Sequence, residues 1–150
     1  MRTILLGLLL TLLAACGAAA PTSGSPTPIP ATATPAGSAA AGPVGTWRLT
    51  TLAGQPVLGA TPLTLVLDAN GQASGNGGCN QFSSTATLGE ASITFTPIIS
   101  TKMACADNSL NSQETAYLTA LQTAVTWKLD GASLTLSDAQ GTAVAVFTRQ

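Results

Sequence analysis

Three short stretches of the chain alternate apolar and polar side chains residue by residue. In "SITFT", Ile93 and Phe95 fall on one side and Ser92, Thr94 and Thr96 on the other. In "VTWKLD", Val125, Trp127 and Leu129 oppose Thr126, Lys128 and Asp130, and "SLTLS" repeats the pattern with Leu134 and Leu136. A period of two with one apolar side predicts antiparallel strands, one face on a core and one in water. Further strands are expected near residues 46–52, 63–67, 82–88 and 142–149. Turn chemistry separates them at Asp68-Ala69-Asn70-Gly71, Gly89-Glu90, Asp130-Gly131 and Asp138-Ala139-Gln140-Gly141.

One segment changes period. Across residues 111–124, "NSQETAYLTALQTA", the positions Glu114, Tyr117, Leu118 and Leu121 recur at helical spacing. Asn111 followed by Glu114 resembles a capping box, which would start the helix there. A stripe of Leu110, Tyr117, Leu118, Leu121 and Val125 would then pack on the sheet. The expected fold is mainly β, of α+β type: a strongly curved antiparallel sheet or small barrel of about seven strands with one packed helix. A barrel this small is filled by side chains, and Trp47 and Met103 are read as part of that filling.

The N-terminal third obeys neither period. "MRTILLGLLLTLLAAC" has a basic start at Arg2, an apolar run, then Ala14 and Ala15 before Cys16. The run is shorter than the about 20 apolar residues of a membrane span, so residues 1–15 read as a secretory signal. Its ending resembles the bacterial lipobox, in which the cysteine thiol receives a diacylglyceryl group and becomes the new N-terminus. Cys16 is thus the expected lipidation site, and the anchor is the cell membrane or the outer membrane, the domain facing the periplasm or the extracellular side. Gly17 is not the aspartate that holds many lipoproteins at an inner membrane. Residues 16–43 would be the lipidated cysteine and a linker rich in Pro, Ala and Thr, without a charged residue, unable to bury enough surface to offset its entropy. As a coil it would hold the domain about 30 Å from the lipid. The domain proper is then 44–150.

Charge narrows the partners. The chain is 45% hydrophobic and 7% charged, and losing the leader removes Arg2. Four basic and six acidic residues remain, a net charge of −2, so nucleic acid is not an expected partner. The expected partners are the membrane through the lipid and an envelope protein or small ligand, with the domain a monomer.

Cys79 and Cys105 lie in the exported part, where oxidising conditions favour a disulfide. Closing that loop is worth about 3.5 kcal/mol in the chain-entropy model. Two inert buried thiols, or a reactive thiol with Lys102 as its nearest base in sequence, are the alternatives. Two cysteines in a chain without histidine offer too few ligands for a metal. The glycines of "GNGGCNQF", Gly75, Gly77 and Gly78, suit a sharp corner between strands, and Asn80 suits an Asx turn closed by its own side chain. "GNGGCN" follows no phosphate-binding pattern and opens no helix.

Catalytic constellations do not assemble on paper. Asp68, Glu90, Asp130 and Asp138 fall at turns, Asp107 precedes the helix and Glu114 sits in its first turn, so turn and cap chemistry accounts for each carboxylate. The chain has no histidine for a Ser-His-Asp triad, and Ser100–Lys102 is one residue too short for S-x-x-K. The expectation is a protein that is not an enzyme and uses no cofactor.

"GTWRLTTLAGQPV", "SGNGGCNQF", "STKMAC" and "QETAYLTAL" occur in the order and spacing of the META domain family, and the chain resembles its HslJ-like members from Gly45 to Phe147. The most specific part is G-C-N followed by T-K-M-A-C, carried here by Gly78, Cys79, Asn80, Thr101, Lys102, Met103 and Cys105, with Gly75 upstream. One departure is that Ser83-Ser84-Thr85-Ala86 are small where relatives often carry an aromatic residue. The resemblance implies a small β-rich fold with one helix, frequent attachment to the bacterial envelope, and association with heat shock, novobiocin resistance or, in a protozoan relative, motility and virulence. It implies no catalytic activity. The expected role is that of a lipid-anchored envelope protein binding or protecting under envelope stress or antibiotic exposure, with a lipocalin-like carrier or an inhibitor or assembly partner of an envelope enzyme as alternatives.

Overall fold

A computed structural model describes residues 42–150. The expectations for the leader, Cys16 and the linker up to residue 41 lie outside the described residues. Alternation dictates the strands. β1 (Gly45–Leu52), β3 (Thr64–Leu67), β5 (Gln81–Leu88), β6 (Ile93–Phe95), β8 (Thr126–Asp130), β9 (Ser133–Ser137) and β10 (Ala143–Arg149) account for the seven expected strands. Three more are too short or too polar to show periodicity: β2 (Gln55–Pro56), β4 (Gln72–Asn76) and β7 (Ile99–Ser100).

Every pairing is antiparallel, and the strands follow the order β6-β5-β4-β3-β1-β10-β9-β8, with β2 beside β1 and β7 beside β5. The two ends of this order meet. Ser92 bridges Thr126, the Ile93 amide donates to the Val125 carbonyl at 3.1 Å, and the Trp127 amide to the Ala91 carbonyl at 3.0 Å. The sheet is therefore a nearly closed barrel. Two of its hairpins use the same device: Asp68 Oδ1 accepts from the amides of Asn70 and Gln72, and Asp138 Oδ1 from those of Gln140 and Thr142. In each, a glycine at positive φ, Gly71 or Gly141, completes the turn.

The helix α1 (Asn108–Thr123) starts earlier than the capping-box reading. Asp107 is its N-cap, extended at φ −127°, with its carboxylate accepting from the Ser109 amide at 2.7 Å. That hydrogen bond holds the exposed Asp107 carboxyl below its ordinary pKa. Asn111 instead accepts from the Cys105 amide, and Glu114 is engaged elsewhere. The helix buries Gln113, Glu114, Tyr117, Ala120 and Leu121, a face rotated from the apolar stripe, which leaves Leu110 and Leu118 half-buried and Val125 exposed.

The interior is filled by side chains. Trp47, Tyr117, Phe147 and a layer of leucines are buried completely. Tyr117 stands edge-on to Phe82 with ring centroids 5.7 Å apart and lies 6.2 Å from Phe147. Its hydroxyl donates to the Thr64 carbonyl at 3.0 Å. Trp47 donates to the Pro43 carbonyl at 2.7 Å, so Pro43 is buried against the barrel although its composition matches the linker. Arg149 covers the indole, its guanidinium carbon 4.3 Å from the ring centroid. Met103 does not join this core. Its side chain is 64% exposed, because its backbone is held on both sides by a polar cluster at the barrel rim.

Candidate functional site

That cluster begins with the glycines. A Cβ on Gly75 would collide with the Thr64 carbonyl and one on Gly77 with the Glu114 carboxylate, so both positions require close backbone approach. Gly78 sits at φ 117°. The Asx turn expected at Asn80 belongs instead to Asn76, whose Oδ1 accepts from the Gly78 amide at 2.7 Å. Phe82, two residues beyond Asn80, is already paired with Gly75 and Ser100 in the sheet, so the Asn80 side chain is directed across the corner.

There Asn80 acts as a hub. Its Nδ2 donates to the Met103 carbonyl at 3.0 Å and to Glu114 Oε2 at 2.9 Å. Its Oδ1 accepts from the Met103 amide at 2.7 Å and the Thr101 hydroxyl at 2.8 Å. Both donors and both lone pairs of the side-chain amide are thereby used. The Asn80 backbone amide donates to Glu114 Oε1 at 2.9 Å. The motif residues split by role: Asn80, Thr101 and the Met103 backbone are tied together, while the side chains of Lys102 and Met103 face outward.

The same corner carries the crosslink. Cys79 and Cys105 form a disulfide with Cα atoms 5.6 Å apart, which selects among the three readings of those residues. Cys105 Sγ lies 3.9 Å from Glu114 Oε2. A disulfide sulfur carries no proton, so this is a contact and not a hydrogen bond. Glu114 is 6% exposed, and its hydrogen-bond partners among the described residues are neutral amides of Asn80. Reading Glu114 as a first-turn cap residue missed this role. The available signal was its place three and seven residues before Tyr117 and Leu121, a charge on the buried face of the helix.

A second feature lies across the helix. Gln113 donates from Nε2 to the Leu58 carbonyl at 3.0 Å and accepts from the Leu58 amide, pinning the β2–β3 connection. This leaves a surface groove of about 740 Å³ lined by Leu52, Pro56, Leu58, Gln113 and Ala116. Leu58 is 53% exposed beside it.

No curated protein matches the chain. Two solved structures share its fold. One, an NMR structure of a protein, gives a TM-score of 0.58 at 24% identity, covering 70% of this chain and 88% of its own. Another, an NMR structure of a protein from Burkholderia xenovorans, gives 0.56 at 25% identity, covering 71% and 81%. The model of the META domain matches residues 42–150, the whole of the described barrel and helix, and the chain belongs to the META domain family.

Proposed function

We propose that the chain is a lipid-anchored cell-envelope protein whose META domain works by binding, not catalysis, in envelope stress or antibiotic tolerance. The observation that carries this reading is the Cys79–Cys105 disulfide at the rim of the barrel, a crosslink characteristic of chains that mature outside the reducing cytosol. Asn80 supports the non-catalytic part, because its hydrogen-bonding capacity is spent on holding two segments together. The groove beside Leu58 is the surface best suited to a partner: it is apolar, concave and bounded by the helix. An envelope protein bound there makes the domain an inhibitor or assembly partner. A small-molecule cargo would use the same groove, since Trp47, Tyr117 and Phe147 fill the interior.

Cell fractionation with labelled fatty acid tests the anchor. Cys16→Ser should lose the label and leave the membrane; a mutant that still incorporates fatty acid removes this reading. Proximity labelling in the same cells tests the groove. Leu58→Asp should lose neighbours that the unaltered chain labels, and an unchanged neighbour set would move the binding surface elsewhere.

A further inference from the structure

Counting ligands along the chain gave two cysteines and nothing to complete a metal site. Folding changes the count. Cys79 lies in the β4–β5 connection, Cys105 precedes α1, and Glu114 is on the second turn of that helix, yet Cys79 Sγ, Cys105 Sγ and a Glu114 carboxylate oxygen all lie within 4.8 Å of one another. A tetrahedral zinc with Zn–S of about 2.3 Å and Zn–O of about 2.1 Å has ligand–ligand edges of roughly 3.5–3.8 Å. In the oxidised chain the two sulfurs are bonded to each other, and breaking that bond frees each side chain to turn about χ1 across the 5.6 Å between the two Cα atoms. We infer that Cys79, Cys105 and Glu114 form a redox-gated site for a thiophilic divalent cation of the zinc and cadmium class, closed in the disulfide form and opened by its reduction.

Three observations favour a cation here. The frame that holds the donors does not depend on the crosslink alone. Asn80 grips the amide and carbonyl of Met103, and Asn111 accepts from the Cys105 amide, so the segment carrying Cys105 is tied to the strand corner and to the helix after reduction. Second, Glu114 is a nearly buried carboxylate whose partners are the neutral amide groups of Asn80. Burial makes a cation beside it favourable, and the two hydrogen bonds leave about two of its four lone-pair positions for a metal. Third, both cysteines are only half-buried, which lets a dithiol reach the disulfide and a water complete the fourth coordination position.

The chemistry balances with one named co-reactant. A dithiol reductant attacks the Cys79–Cys105 disulfide through a mixed disulfide, ending as its own cyclic disulfide and leaving two protein thiols. A divalent cation then displaces the two thiol protons to solvent and binds two thiolates and the Glu114 carboxylate, a centre of net charge −1. In the oxidised chain the sulfurs are bonded to each other, and the carboxylate alone does not hold the ion. Two thiolates select soft d10 ions over calcium or magnesium. This inference uses neither the anchor nor the groove, but it rests on the same disulfide as the proposed function, and the site opens only where a dithiol reductant reaches it.

The experiment uses the full chain carrying Cys16→Ser, which leaves Cys79 and Cys105 as its only thiols. It is reduced, freed of reductant without oxygen, and titrated with zinc against a chromophoric chelator and with cadmium by thiolate charge-transfer absorption. The expected result is one zinc or cadmium per reduced chain and none on the oxidised chain. Cys79→Ser should abolish binding, and Glu114→Gln should weaken it by at least about 10-fold. X-ray absorption on the zinc-loaded chain, with Glu114 intact, should count two sulfur donors and the remainder oxygen. Equal zinc uptake by reduced and oxidised protein overturns the proposal. So does unchanged affinity in Glu114→Gln, or a coordination shell lacking sulfur.

Discussion

Replacing Asn80 by alanine removes the hub at the rim without touching the barrel core. Four side-chain hydrogen bonds disappear, to the Met103 amide and carbonyl, the Thr101 hydroxyl and Glu114 Oε2. Thr101 is exposed, so its hydroxyl recovers a water and its share is small. The remaining three bonds are worth about 1 kcal/mol each, and Glu114 Oε2, buried, loses a donor it cannot replace from solvent. The expected loss is therefore about 2–4 kcal/mol, a sizeable part of the 5–15 kcal/mol typical of whole domains. Equilibrium guanidinium unfolding of the oxidised domain, followed by tryptophan fluorescence, reads it. Asn80→Asp separates lost contacts from lost donors: it preserves shape and the Oδ1 that accepts from Thr101 and Met103 but sets a second carboxylate against Glu114, and should be worse than alanine at pH 7. A loss below about 1 kcal/mol for Asn80→Ala, or an aspartate variant as stable as the unaltered chain, would refute the hub.

Three further outcomes follow from other parts of the fold. Reducing the Cys79–Cys105 disulfide should cost about 3.5 kcal/mol in the chain-entropy model. Because it ties nearly the same segments as Asn80, reduction and Asn80→Ala should be non-additive by about 0.5–3 kcal/mol in a double-mutant cycle. Ala53 turns the β1–β2 hairpin at φ 47°, followed by Gly54 at φ 77°. Ala53→Asn supplies the favoured Asn-Gly pair and should stabilise by about 0.5–1 kcal/mol, read as a higher Tm; a lower Tm would contradict the turn assignment. Burial pushes the hydroxyl of Tyr117, the chain's single tyrosine, well above its ordinary pKa of 10.0. The unfolded chain then ionises before the folded one, so stability is full below about pH 10 and falls as pH rises beyond it. Tyr117→Phe should flatten that alkaline fall while costing about 1 kcal/mol at neutral pH for the lost bond to Thr64; an unchanged alkaline slope would contradict the burial argument.

What could be read along the chain, and what could not, divides by the range of the forces involved. The seven alternating strands and the helix were legible because one apolar face per element is a local property, visible two or four residues at a time. β4 was not, since "QASGN" carries no apolar alternation; it is a strand because Gly75 lets its backbone approach Thr64. The helix start moved to Asp107 because Asn111 and Glu114, which would have formed the local cap, are held by longer-range bonds to Cys105 and Asn80. Met103 shows the same competition from the other side. Composition assigns a methionine to the core, but both polar atoms of its backbone are taken by Asn80, and the side chain is left outside.

The disulfide was within reach of sequence because two exported cysteines have few uses. Its surroundings were not, because the residue beside it is 9 positions further on, across the start of a helix. Glu114 illustrates why motif and site diverge. The family motif marks Asn80, Thr101 and Met103, whose bonds to one another make the corner, whereas the charge that gives the corner its chemistry arrives from a helix read as packing. A single carboxylate placed on the buried face is costly unless it is hydrogen-bonded. Here that cost is offset by the Asn80 amides, and the same arrangement leaves an anionic oxygen 3.9 Å from a half-buried sulfur. The corner thus combines a structural clamp with latent ligand chemistry: Asn80→Ala tests the clamp, while Glu114→Gln, which also turns one oxygen that accepts from Asn80 into a donor, tests the ligand chemistry through the metal titration and not through stability.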